Sequence, residues 1–211
     1  RYDRNNRPVP DTQVNGLPAN GAAITAMAGL NGAVGYDAFA AAYLDPARVA
    51  SMPDYLKTRA PDGTQVPITV CCLKGTPQDG TAPGLLFGYG SYGIPYDPTF
   101  RSTLVSLIDR GIVVATAHIR GGGEGGKLWY ENGKFLKKQN TFSDFIACSE
   151  ELIASGWVAS DALAISGGSA GGLLMGAVMN ARPDLFHAVL ARVPFVDSIN
   201  TMLDDTMPLT V

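Results

Sequence analysis

The chain has 211 residues, 46% of them hydrophobic and 17% charged, which is the balance of a soluble chain with one sizeable core and is read as one domain by default. Its 16 Lys and Arg stand against 19 Asp and Glu, a net charge of −3 that offers no general attraction to nucleic acid or to an anionic membrane, so neither is expected as a partner.

Residues 1–50 read as a lead-in segment of unknown role, first polar and broken by Pro8, Pro10, Gly16, Pro18 and Gly21, then Ala/Gly-rich with helix-like spacing over 38–44. No basic and apolar leader opens the chain, and no apolar run reaches the length of a membrane span. From residue 51 the pattern sharpens. Residues 55–59 and 66–73 are strand-like, and the Pro61-Asp62-Gly63 turn between them predicts a β-hairpin. Cys71 and Cys72 are adjacent in that second strand and point to opposite faces. With Cys148 they make an odd count, which fits a reducing, cytoplasmic compartment, with the periplasm as the alternative.

A short apolar strand at 84–88 follows, then the loop Tyr89-Gly90-Ser91-Tyr92-Gly93. Helical spacing over 103–110 stops at Gly111. Residues 112–117 are continuously apolar, as a strand covered on both faces would be, and run into a glycine-rich loop, 118–126, expected to be flexible. Thr141 or Ser143 is expected to cap a helix reaching about Ser155, and a last apolar strand occupies 188–193. Strands alternating with helices after an opening hairpin predict an α/β fold with a doubly wound, mostly parallel sheet. Sites in such sheets lie at the carboxyl ends of the strands, which brings the loops after Phe87, Ala117 and Ile165 to one edge.

The third of these loops carries the most chemistry. Leu163-Ala164-Ile165-Ser166 enters Gly167-Gly168-Ser169-Ala170-Gly171, and the small-residue run Gly172 to Ala177 leaves it. Strand, sharp turn and helix are the context of a G-x-S-x-G nucleophile elbow, in which the serine backbone is strained and the glycines two before and two after leave room for the turn. Ser169 is the candidate nucleophile, and the Ala170 N–H a candidate oxyanion donor. A phosphate-cradling loop is the competing reading, weakened because no Lys-Ser/Thr follows the glycines and no G-x-G-x-x-G is present. No metal cluster or cofactor fingerprint is seen, so no cofactor is expected.

Four ordered segments resemble the catalytic domain of the prolyl oligopeptidase family of serine peptidases. They are Phe87 to Gly93, Ile119-Arg120-Gly121-Gly122-Gly123-Glu124, Lys138 to Phe145, and Gly167 to Gly172, with Arg182-Pro183-Asp184-Leu185-Phe186 continuing the match. Val193 to Asp197 and Met202 to Thr206 are most similar to the oligopeptidase B (protease II) branch. The resemblance covers about Met52 to Val211. It implies an α/β-hydrolase fold and a Ser-Asp-His triad acting on short peptides, with Ser169 as nucleophile and the Tyr89 hydroxyl joining the Ala170 N–H in the oxyanion hole. Asp97 falls where that branch carries acids facing a basic substrate side chain, although the second acidic position is Thr99 here, and a plain loop acid preceding Pro98 is the favoured reading of Asp97, with substrate binding as the candidate role.

The triad Asp and His should follow the serine, and the sheet is therefore expected to lack its last strands and helices, making 51–211 a partial catalytic domain. The family's β-propeller is not visible as a repeat. His187 is read as a packed structural histidine, and His118, at the carboxyl end of its strand, as the better substitute base. Asp197, Asp204 and Asp205 are read as solvated or capping. A homo-oligomer or a partner chain is expected to cover the open sheet edge. Three functions compete: a serine oligopeptidase cleaving short peptides, with cleavage after basic residues as one option; a carboxylesterase acting on small acyl esters on the same fold; and an inactive fragment without its triad.

Overall fold

The computed structural model describes residues 13–14, 17–18, 56–96 and 101–206. The helix expected over 38–44 and the candidate Asp97 lie outside them. Residues 1–51 and 52–211 are separate compact units. In the first, β1 (Gln13–Val14) and β2 (Leu17–Pro18) form a short antiparallel pair.

Among the described residues, the second unit is built on a six-stranded sheet. β3 (Leu56–Arg59) and β4 (Gln65–Cys71) are the predicted hairpin, with Gly63 at φ +83° supplying the left-handed turn residue. β5 (Gly84–Phe87), β6 (Val113–Ala117), β7 (Leu163–Gly168) and β8 (Ala188–Arg192) follow, in the spatial order β3-β4-β6-β5-β7-β8. β4 runs antiparallel to β6, while β6, β5, β7 and β8 are mutually parallel. Every residue of β6 is buried, as its unbroken apolar run required.

Helices cover both faces. α1 (Ser102–Ile108) places Leu104, Leu107 and Ile108 against Phe87, Val114, Leu85 and Cys71. α2 (Lys127–Glu131) and a 3-10 turn (Phe135–Lys137) lead to α3 (Gln139–Ala154). α4 (Ala170–Ala181) leaves β7, and α5 (Ser198–Leu203) follows β8. α3 and α4 pack on the face opposite α1, where the register aligns Val70, Ala115, Leu86 and Ile165, all buried. Gly88 continues that row: a Cβ there would lie 2.5 Å from Phe145 Cε2 and 3.0 Å from Leu174 Cδ2, so strand and helices meet without a gap. Each fully buried Leu or Ile in this layer contributes about 1.5–3 kcal/mol.

α3 begins three residues earlier than a Thr141 cap would start it, with Lys138 at the N-cap position. The Thr141 hydroxyl is not a cap; it donates to Arg120 O at 2.7 Å, inside the protein. The glycine-rich loop at 118–126 is also not the loose segment expected, because His118, Ile119, Arg120, Gly121 and Gly122 are all buried. β8 pairs with β7 alone among the described residues and is largely exposed. No helix among the described residues is long and apolar enough to cross a membrane.

Candidate active site

β7 delivers Ser169 to the carboxyl edge of the sheet. The chain turns there into α4 with φ 56° and ψ −118°, a conformation that costs a side-chain-bearing residue about 1–3 kcal/mol. Neighbouring main chain holds the strain in place. Ser169 N–H donates to Arg192 O (2.9 Å), and Ser169 O accepts from Gly172 N (2.9 Å), Phe195 N (3.1 Å) and Leu173 N (3.2 Å). The segment after β8 therefore clamps the turn from one side and the first turn of α4 from the other.

The elbow glycines are fixed by contact. A Cβ on Gly167 would strike the Gly171 carbonyl, and one on Gly171 would lie 2.9 Å from Gly88 O and 3.3 Å from Tyr89 Cδ2. The same close approach that requires glycine at 171 thus sets Tyr89 against the elbow. Ser169 is exposed, and its hydroxyl makes no capping bond with α4. Ala170 is the first residue of α4, so its N–H precedes the intrahelical ladder and has no acceptor within the helix.

Tyr89 is half-buried, and burial raises its phenol above the ordinary value, with Tyr92 nearby adding to the shift. The hydroxyl therefore stays protonated and neutral throughout the physiological range, which is what a donor to a developing oxyanion must be. Behind it, Gly90 has φ +64° and is wedged in place: a Cβ there would lie 2.5 Å from Thr141 Cγ2 and 2.8 Å from Ile119 Cγ1. Gly93 N donates to Gly121 O at 3.0 Å, tying this loop to the loop after β6.

That second loop is anchored by a buried ion-pair network absent from the sequence reading. Arg120 donates from Nε to Asp144 Oδ2 (2.8 Å), from Nη2 to Asp144 Oδ1 (2.6 Å) and from Nη1 to Asp62 Oδ2 (2.5 Å), and its backbone N–H also reaches Asp144 Oδ2 (3.0 Å). Asp144 is completely buried in α3, while the Asp62 side chain is 46% exposed at the hairpin turn. One guanidinium thus joins the β3–β4 turn, the β6 loop and α3.

The Arg120 hydrogen bond holds the Asp62 carboxyl down at about 2, with the Thr64 N–H adding to the effect. A depressed carboxylate contributes stability that is present above its unfolded value and is lost as pH falls through the folded one. Unfolding measured from pH 5 to pH 2 should therefore lose this contribution below about pH 4, and Asp62→Asn should flatten that part of the profile. Solvent exposure limits the difference to about 1 kcal/mol or less.

Neither histidine of the chain stands beside Ser169. His118 is 6% exposed; its Nε2 lies 2.7 Å from Thr69 Oγ1 on β4, and its Nδ1 faces Glu124 Oε1 at 3.8 Å. β5 separates its strand from β7, two inter-strand steps or about 10 Å. His187 is exposed rather than packed, and its N–H donates to Leu163 O at the amino end of β7. Five strand residues, about 16 Å, separate that end from the elbow. The expectation of a packed His187 fails, because it and Ala188 beside it at the start of β8 are both exposed. Asp97 lies outside the described residues; its neighbour Tyr96 receives the Arg101 guanidinium over its ring at 5.0 Å and donates its N–H to Glu124 Oε1 at 2.9 Å.

Residues 98–211 match the prolyl oligopeptidase family. The chain belongs to that family. It is 53% identical over 152 residues to the dipeptidyl aminopeptidase BI of Pseudoxanthomonas mexicana, covering 72% of this chain and 21% of that protein. Protease 2 of Moraxella lacunata is 49% identical over 148 residues, covering 70% of this chain and 21% of that protein. Among solved structures, oligopeptidase B of Trypanosoma brucei with covalently bound antipain superposes with a TM-score of 0.71 at 52% identity, covering 74% of this chain and 22% of that one. The fold is thus that of the α/β-hydrolase catalytic domain, as expected. The chain spans about a fifth of the length of the relatives it matches.

Proposed function

We propose that this chain carries the nucleophile and oxyanion-binding part of a serine oligopeptidase. The observation that bears most weight is Ser169 itself: an exposed hydroxyl on a residue clamped at φ 56°, with Tyr89 packed against Gly171 next to it. Ser169 Oγ attacks the carbonyl carbon of a peptide bond and gives its proton to a base. The resulting oxyanion accepts hydrogen bonds from the Tyr89 hydroxyl and the Ala170 N–H. Collapse breaks the C–N bond, the leaving amine takes the proton from the base, and water then releases the acyl group from Ser169. The base is a group other than His118 and His187, whose positions put them out of reach.

Substrates in this reading are short peptides, cleaved after basic residues, with Asp97 as the candidate acid for recognising the basic side chain. The peptidase names of the relatives and the antipain held covalently by the Trypanosoma brucei enzyme support the class. The test is hydrolysis by the full-length protein of a short peptide amide with arginine before the scissile bond, against the same peptide with alanine there and against a p-nitrophenyl ester. Preferential cleavage of the arginine amide is expected. Ester hydrolysis with no amide cleavage would favour a carboxylesterase and contradict the proposal.

A further inference from the structure

We propose that Lys138 is a positioning residue for Tyr89, fastening the two residues that follow it so that the phenol stays on the oxyanion; this rests on the role given to Tyr89 above. Lys138 sits between the 3-10 turn and α3, with helical backbone angles. Its Nζ donates to Gly90 O at 2.5 Å and to Ser91 Oγ at 2.7 Å. Gly90 and Ser91 are both buried, and Lys138 itself is half-buried. The neighbouring Lys137 behaves as surface lysines do, with an exposed ammonium that bonds Asn132 Oδ1. Lys138 instead turns inward to two neutral acceptors.

No carboxylate among the described residues pairs with Lys138. Withdrawing an ammonium from water without a counter-charge is unfavourable, and burial draws its pKa down to about 8. That cost is sustained at one place, the peptide directly after Tyr89. The acceptors have little freedom to find another donor. Gly90 is wedged between Thr141 and Ile119, its carbonyl lies where a Cβ on Gly121 would fall, and Ser91 O is engaged by Ile94 N at 3.1 Å. Loss of the ammonium leaves a carbonyl and a hydroxyl without their donor at the base of the Tyr89 turn. Movement there is transmitted to the phenol, whose placement matters because misplacing a catalytic group by about 1 Å can cost about 100-fold in rate.

The test is a double-mutant cycle in the full-length protein, with kcat and KM measured on the peptide amide for Lys138→Met, Tyr89→Phe and the two combined. Lys138→Met should lower kcat by about 10- to 100-fold with KM within about twofold, and should cost less than about threefold when Tyr89 is already phenylalanine. Equal losses in both backgrounds, a rise in KM with kcat intact, or no loss at all would overturn the proposal. If Lys138→Met does not fold, as judged by thermal unfolding, Ser91→Ala takes its place in the cycle. It removes one of the two acceptors, with an expected loss of about threefold or more that disappears in the Tyr89→Phe background, and the same contrary results count against it. Ser169→Ala, assayed alongside, separates the two claims. Activity surviving that change removes the peptidase reading itself, whereas its loss together with an indifferent Lys138 removes only the positioning role.

Discussion

Replacing Ser169 with alanine in the full-length protein should lower peptide-amide hydrolysis by about 10⁴- to 10⁶-fold, because a nucleophile and its base act as a unit and removing one member removes nearly all of their joint effect. Stability should not follow activity. The Ser169 side chain is exposed and makes no capping bond, while the contacts that hold the turn all run through its main chain, which alanine keeps. The unfolding free energy from urea titration should therefore stay within about 0.5 kcal/mol of the parent. Ser169→Gly separates the two properties further. Glycine adopts φ 56° without a Cβ penalty, so this variant should be equally inactive and more stable by about 1 kcal/mol. A Ser169→Ala protein with appreciable residual turnover that co-purifies with it through successive columns would place the chemistry elsewhere.

Asp144→Ala should have the largest effect on the fold. Asp144 is completely buried and accepts three hydrogen bonds from Arg120, two from its side chain and one from its backbone N–H. Alanine leaves the guanidinium buried with Asp62, half-exposed, as its remaining carboxylate. Breaking a buried pair from one side typically costs about 3–5 kcal/mol, a large share of the roughly 5–15 kcal/mol that holds a domain together. Because the loss arises from the stranded charge, Arg120→Met in the Asp144→Ala background should recover part of it, which neither change predicts alone. Urea unfolding of the four proteins measures this coupling. A cost under about 1 kcal/mol for Asp144→Ala, or purely additive losses, would mean the network is not the anchor of the β6 loop.

What could be read from the sequence was whatever depends on near neighbours. The hairpin turn, the buried β6 and the elbow are each specified within a dozen residues, by Pro61-Asp62-Gly63, by an unbroken apolar run, and by Gly167 and Gly171 bracketing Ser169. The errors arise where a residue finds its partner far along the chain. Asp62 was legible only as a turn former, yet it also meets Arg120, 58 positions away. The run Gly121-Gly122-Gly123 suggested flexibility, but the loop is buried because Arg120 pairs with an aspartate 24 positions later, and Thr141 turns inward to Arg120 O instead of capping its helix. Lys138 lies in a run of lysines that local pattern cannot divide into surface and interior members. The apolar neighbours of His187 suggest a packed side chain, whereas the structure leaves it exposed, with Ala188, at the start of β8.

The measurement that bears most directly on the central claim is labelling of the full-length protein with a fluorophosphonate, read by intact mass and by peptide mapping. Such a probe reacts only with a serine that has both a working base and an oxyanion hole. One adduct per chain, mapped to Ser169, slowed by Tyr89→Phe and absent from Ser169→Ala, is the predicted result. Folded, unlabelled protein, or an adduct on any other serine, would contradict the assignment of Ser169 as the activated nucleophile.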